Sequence, residues 1–149
     1  MIECRTMASA ERLDAFALMR RFRTDQGALG DALALFIDRP DYGFVWLAYD
    51  DGIPAACVSV AFGISTETGG VIASMGDLFV AEDRRRRGIG SALIATLHGR
   101  LAHLEVTSIE ATIPDDPALR GFFAARGYTD HGGTRVSLDR RYASTGANR

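Results

Sequence analysis

The sequence predicts an α+β domain: a mixed, mostly antiparallel sheet flanked by about four helices. Three observations lead there. The middle of the chain reads as strands joined by glycine-bearing turns. Helical periodicity lies on both sides of that block. No strand–helix–strand alternation repeats along the chain, so a parallel doubly wound sheet is disfavoured.

In chain order, Ile2–Arg5 reads as a short first strand. Ser9 then suits an N-cap and Glu11 a first helical turn, with Leu13, Phe16, Ala17 and Phe22 placed on one face. Asp25-Gln26-Gly27 breaks this helix, and a second runs from Ala28 to Ile37 before Pro40. Phe44–Tyr49 is aromatic and β-branched, as strands are. Asp50-Asp51-Gly52 forms a hairpin turn into a return strand, Ile53–Phe62, with Pro54 at its start. Thr66–Gly70 turns the chain again into Val71–Val80, where Gly76 permits a bulge or a close backbone approach.

From Gly88 the apolar residues Ile89, Leu93, Leu97, Leu101 and Leu104 recur at helical spacing. Ser108–Ile113 reads as a strand. Asp116 caps a helix that opens on Pro117 and ends at Gly127. Tyr128-Thr129 and Thr134–Leu138 are expected as two last short strands around Gly132-Gly133. One domain is expected over residues 1–142, with 143–149 frayed.

Composition narrows the function. The chain has 149 residues and a formal net charge of −2, against a dedicated nucleic-acid binder. All 17 basic residues are arginines, a bias expected of a GC-rich bacterial genome. Cys4 and Cys57 lie far apart, and His98, His103 and His131 lack ligand spacing, so no metal site is expected. Residues 1–10 do not read as a secretory leader, and no apolar run has the length of a membrane span. The expectation is a cytoplasmic protein with reduced thiols and no membrane or nucleic-acid partner.

The most informative stretch is "DRRRRGIGSAL", Asp83–Leu93. A strand, a basic glycine-bearing turn and an amphipathic helix follow one another. Helix N-termini carry unsatisfied N–H groups and positive partial charge. Glycine lets an anion approach the backbone, and arginine adds forked donors around it. A diphosphate suits such a nest. A dinucleotide fingerprint fails for want of a third glycine, and a Walker loop for want of Gly-Lys-Ser/Thr. A solvated charged turn is the competing reading of the arginines alone.

With its flanks, "DLFVAEDRRRRGIGSALI" resembles the acetyl-coenzyme A loop of the GCN5-related N-acetyltransferase (GNAT) family, Arg/Gln-x-x-Gly-x-Gly/Ala, here Arg85-Arg86-Arg87-Gly88-Ile89-Gly90. "DDPALRGFFAARGY" is similar to a later motif of that family, and the element order agrees over nearly the whole chain. The resemblance implies acetyl transfer from acetyl-CoA, as co-substrate, to a primary amine by direct attack on the thioester. It implies that backbone groups of Leu78, Phe79 and Val80 pair with the pantetheine arm. N–H groups from Arg86 to Ser91, Ile89 included, would cradle the pyrophosphate, and Asp116 would contact the cofactor arm. It also allows a homodimer.

Two departures bear on catalysis. Gly76 stands where relatives often place a glutamate base, and Phe123 where many have a tyrosine that protonates the leaving thiolate. Asp77 is the remaining candidate base, directly or through water; the competing reading is that it caps a bulge or faces solvent. A backbone N–H of the same strand would stabilise the developing oxyanion. A thiolate leaves without a dedicated acid, since thiols titrate near pH 8.5. In this family the first two helices and their loop shape the acceptor pocket; the polar residues there are Arg23, Asp25, Gln26 and Asp31. They do not choose among polyamine, amino acid, aminoglycoside or protein N-terminus. A catalytically weak acyl-CoA-binding sensor or partner module is the alternative function.

Overall fold

The computed structural model describes residues 1–140; the expected frayed tail, 143–149, lies outside the described residues. The chain divides into two compact units, Met1–Thr112 and the segment from Ile113 onward.

The first unit is built on a five-stranded sheet in the order β1-β2-β3-β4-β5. These strands are β1 (Ile2–Thr6), β2 (Gly43–Asp50), β3 (Ile53–Ser65), β4 (Gly70–Val80) and β5 (Ser108–Ala111). The first four form an antiparallel meander, and β5 pairs parallel to β4. The helices of this unit are α1 (Arg12–Met19), α2 (Gln26–Asp38) and α3 (Ile89–Ala102). Both predicted turns form. Asp51 and Gly52 take positive φ (49° and 82°) in the β2–β3 hairpin, as a two-residue turn of this hand requires. At the β3–β4 turn, Ser65 Oγ accepts from the N–H groups of Glu67 and Thr68. The hairpin is longer than expected, reaching Ser65.

Alternation along β2 divides its residues between two covered faces. Val45, Leu47 and Tyr49 join Ala15, Leu18, Met19, Leu29 and Leu33 in one buried cluster under α1 and α2. On the other face Trp46 Nε1 donates to Thr96 Oγ1 of α3 at 3.0 Å. Ile89, Leu93, Leu97 and Leu101 form the buried stripe of α3. Each such side chain, taken fully out of water, stabilises the fold by about 1.5–3 kcal/mol.

Several expectations are corrected. Ser9 does not cap α1; residues Ser9–Glu11 form a 3-10 turn, and Glu11 Oε1 accepts from the Ala8 N–H at 2.8 Å. Leu13 is 82% exposed, and α1 buries Ala15, Leu18 and Met19 instead. With only eight residues and apolar groups on several sides, this helix has no unique apolar face to read. α2 begins two residues earlier than expected because Asp25 caps it, accepting from the Ala28 N–H at 2.9 Å. Leu104 lies past the end of α3 and is partly exposed.

In the second unit, Asp116 caps α4 (Pro117–Ala124) as expected: its Oδ1 accepts from the Ala118 N–H at 2.9 Å. Gly127 takes the left-handed conformation beyond the helix (φ 88°). Phe123 is buried, with edge-on contacts to Phe122 and Tyr128. Tyr128-Thr129 and Thr134–Leu138 are not strands. Gly132 and Gly133 both have positive φ, while Val136 and Leu138 stay 87% and 72% exposed. Their alternation thus buries no apolar face, and with it goes the usual reward for strand pairing. Among the described residues no helix is long and apolar enough to cross a membrane.

Candidate active site

The site starts at a break in β4. Cys57 pairs with Phe79 and Ser59 with Gly76, so three steps on β4 oppose two on β3. The extra residue makes a β-bulge, and Asp77 sits in it with φ +53°. Left-handed backbone is uncommon for a residue with a Cβ, although aspartate tolerates it better than most. Gly76 next door marks the bulge, one of the two features its sequence position suggested, and a Cβ there would lie 3.3 Å from the Ser59 side-chain Oγ.

The bulge also separates two regimes of pairing. β5 pairs with β4 only from Ile72 to Met75. Beyond Met75 the outer edge of β4 has no strand partner among the described residues. Ala81 N–H bonds the Ala55 carbonyl on the β3 side at 2.7 Å. By alternation the Val80 and Leu78 main-chain groups face the open side. That edge offers hydrogen bonds to an extended ligand.

β4 then runs through a 3-10 turn, Glu82–Arg84, into the arginine–glycine loop. Arg86 (φ 64°) and Gly88 (φ 77°) are both left-handed, and Gly88 is the N-cap of α3. The first intrahelical bond there joins the Ala92 N–H to the Gly88 carbonyl at 3.0 Å. Helix geometry therefore leaves the N–H groups of Ile89 and Gly90, in the first turn, without intrahelical acceptors. A Cβ on Gly88 would meet nothing within 4 Å, and one on Gly90 only Val80 Cγ2 at 3.5 Å. The backbone at these two glycines is therefore open to the close approach of an anionic group.

The four arginines are not equivalent. Arg84 is turned inward, with its Nη1 2.7 Å from Asp50 Oδ2. Arg87 approaches the same oxygen at 3.6 Å. Arg85 Nε donates to the Val80 carbonyl at 3.1 Å, and its guanidinium lies over the Phe79 ring. Arg86 is exposed and has no ion pair among the described residues. Part of the tract thus builds the loop, while Arg86 stays exposed. The Arg85 contact also occupies one acceptor on the edge expected to receive the pantetheine arm.

Asp77 does not simply face solvent. Its Oδ2 accepts from Ser59 Oγ at 2.8 Å, and its Oδ1 is ion-paired with Arg23 Nη2. Arg23 comes from the loop between α1 and α2, so that loop reaches the bulge of β4. Phe22 packs against Phe79 beside it, with ring centroids 5.1 Å apart. Beneath, the buried Cys57 thiol lies 3.5 Å from the Asp77 carbonyl, and its pKa is pushed up to about 12 by burial and by the Asp77 charge. Ser59 and Asp50 carry no local sequence signal. They matter only because the strand register and the loop path bring them to Asp77 and Arg84. Of the other loop residues, Asp25 turns its carboxylate back onto α2 and Asp31 is exposed on that helix. Asp116 lies in the second unit, where its carboxylate caps α4.

Comparison with known proteins agrees with this geometry. Residues 41–130, more than half of the chain, match the family model described as an acetyltransferase (GNAT) domain. No curated protein matches the sequence. Among solved structures, an integron cassette protein from the mobile metagenome of Cole Harbour Salt Marsh aligns at TM-score 0.80 and 21% identity, over 92% of this chain and 90% of that one. The enzyme AAC(6')-Iy, in complex with a bisubstrate analog of CoA and acetylneamine, aligns at TM-score 0.75 and 15% identity, over 94% and 99%. A protein from Clostridium acetobutylicum described as a predicted acetyltransferase, with acetyl-CoA, aligns at TM-score 0.75 and 13% identity, over 93% and 96%. At these identities the structures share a fold with this chain. The family match, the five-stranded mixed sheet and the cradle at Gly88 agree, and the chain belongs to the GNAT acetyltransferase family.

Proposed function

We propose that this protein transfers an acetyl group from acetyl-CoA to an amine, with Asp77 as the proton acceptor. One observation carries the reading. A single strand, β4, places a carboxylate at its bulge, an unpaired main-chain edge just after it, and the glycine cradle at its end. Donor binding and proton transfer are thereby set a few residues apart on one rigid element.

The residues take the following roles. Main-chain groups of Leu78 and Val80 hold the pantetheine arm as an added strand, while those of Phe79, expected there too, are turned to β3 by its pairing with Cys57. N–H groups from Arg86 to Ser91 hold the diphosphate, helped by the side chains of Arg85, Arg86 and Arg87. Asp116 is assigned to the cofactor arm by the family resemblance. Acetyl-CoA supplies the thioester carbon. The amine nitrogen forms a bond to that carbon, and the carbon–sulfur bond breaks. The departing sulfur keeps the electron pair and is protonated from solvent, while the proton shed by the amine passes to the Asp77 carboxylate and on to water. An alkyl amine near pKa 10 is mostly protonated at neutral pH, so a positioned acceptor is needed. A cytoplasmic location belongs to this reading, since Cys4 and Cys57 are free thiols.

A second reading, an acyl-CoA-binding sensor, is favoured by one observation: both Asp77 carboxylate oxygens already have protein partners. A panel of amines with acetyl-CoA, read out as free thiol, separates the two. The enzyme reading expects turnover with at least one amine and a fall in kcat of about 10²–10⁴-fold in Asp77→Asn. Acetyl-CoA that raises the melting temperature with no thiol release from any amine would favour the sensor.

A further inference from the structure

The ion pair between Arg23 and Asp77 has a consequence for the acceptor. Asp77 is the carboxylate that the proposed function uses, and a guanidinium already lies against it. An amine that reaches Asp77 Oδ1 competes there with Arg23. The Arg23 side chain is 57% exposed and its guanidinium can be rehydrated when it moves, although the Asp77 side chain is only 21% exposed. The carboxylate does not swing away with it, since Ser59 Oγ holds Oδ2 at 2.8 Å. What matters is where the freed guanidinium then points.

A purely cationic amine leaves Arg23 beside a like charge. In the same segment Asp25 Oδ1 accepts from the Ala28 N–H at the cap of α2, and Asp31 stands exposed on that helix. An acceptor with its own anionic group meets no such conflict. Because Arg23 and Asp77 are in contact, a molecule inserted between them needs its two charges close together, as on one carbon. Specificity then arises both from the new attraction and from the repulsion suffered by other amines.

We infer that the acceptor is a zwitterion, an amine that also carries a carboxylate in the manner of a free amino acid: Asp77 takes its ammonium, Arg23 takes its carboxylate, and one internal ion pair is replaced by two. Arg23 is then the specificity-determining residue. Its guanidinium suits that task, being always charged and able to bind a carboxylate through two parallel N–H bonds. The ring pair of Phe22 and Phe79 lies beside these charges and offers apolar contact to a side chain.

This inference rests on the acetyltransferase reading, and its test keeps the two apart. Each proteinogenic amino acid is assayed against its own α-amide, alongside a polyamine and an aminoglycoside, with thiol release as the signal. The best amino acid should exceed its amide in kcat/KM by about ten- to a hundredfold, the range of one charged hydrogen-bonded contact. Arg23→Ala should lower the amino-acid value and bring that ratio close to one. Arg23→Lys should restore part of it. In parallel, the same amino acid should raise the melting temperature of the CoA-loaded protein more than its amide does. Faster acetylation of the carboxylate-free amines, or a ratio untouched in folded Arg23→Ala, would overturn the inference and leave the acetyltransferase reading intact. Zwitterion binding that depends on Arg23, without turnover of any amine, would uphold the site and overturn the transferase reading. Neither binding nor turnover would overturn both.

Discussion

Asp50 holds Arg84 across 34 positions of sequence: Oδ2 lies 2.7 Å from Nη1, and both side chains are largely buried. The pair ties the tip of the β2–β3 hairpin to the start of the arginine loop. Arg87 leans on the same carboxylate at 3.6 Å. Asp50 therefore sets the path of the chain just before Gly88, and it withdraws positive charge that the tract would otherwise present.

Asp50→Ala is expected to leave Arg84 partly buried without its partner. Hydrogen bonds to charged groups are worth about 1.5–3 kcal/mol, and denaturant unfolding should show a loss of that order. Loosening of the loop should raise KM for acetyl-CoA severalfold and change kcat less, because Asp77 lies upstream on β4. A folded Asp50→Ala protein with unchanged KM would show that the loop keeps its shape without this anchor.

Gly90→Val tests the cradle. A Cβ at position 90 meets only Val80 Cγ2, at an ordinary 3.5 Å, so the variant should fold. Valine is also a better helix former than glycine, by a few tenths of a kcal/mol. Its branches nevertheless project where an anion would approach the first turn of α3. Calorimetric titration should show acetyl-CoA binding weakened about tenfold or more at retained melting temperature. Equal affinity in the two proteins would place the phosphates elsewhere.

These two residues also show what the sequence could and could not disclose. Gly90 is legible, because a glycine after a basic turn and before an apolar stripe has a local physical meaning. So are the Asp51-Gly52 turn and the Asp116 cap, whose determinants lie within three or four residues. Asp50 and Ser59 are not, because their partners are set by strand register and loop path. Arg23 could be named as a loop residue, but its contact with Asp77 could not, since 54 positions separate them. Gly76 marked the irregularity in β4, yet the positive φ falls one residue later, on Asp77. Leu13 misled because a short helix with apolar residues all round has no unique apolar stripe.

The two thiols should differ sharply in reactivity. Cys57 is fully buried, and its pKa is pushed up to about 12, first by burial and then by the Asp77 charge; Cys4 is half-buried on the edge strand β1. A disulfide reagent at pH 8 should label one thiol in the native protein and the second only after denaturation. A folded-state pKa raised above the unfolded value of about 9 favours folding fully below that pH. The contribution is lost as pH rises from about 9 to 12. Tyr49, raised by burial and by its bond to Asp14, acts in the same sense at higher pH. Cys57→Ala should therefore flatten the alkaline fall in melting temperature at its lower end. Two thiols labelled at equal rates in the native state would contradict this account.

Phe123→Tyr addresses how the sulfur leaves. The family resemblance sets Phe123 where many members carry a tyrosine that protonates the departing thiolate. Here the ring is buried among apolar neighbours, with edge-on contacts to Phe122 and Tyr128. A hydroxyl added there is expected to destabilise by about 1–3 kcal/mol if it finds no hydrogen-bond partner, so melting temperature is measured first. General acid help is worth about 10²–10⁴-fold where protonation limits the rate. The expected gain is smaller, because a thiolate is already a competent leaving group near its pKa of about 8.5. If the position carries over from the family, a severalfold rise in kcat with the best amine is the predicted result. An unchanged kcat in a folded Phe123→Tyr protein would mean that amine deprotonation at Asp77 or product release limits turnover. Asp77→Asn in the same background separates those two. If deprotonation limits, its kcat falls in full; if release limits, only the portion of the loss that exceeds the release barrier appears.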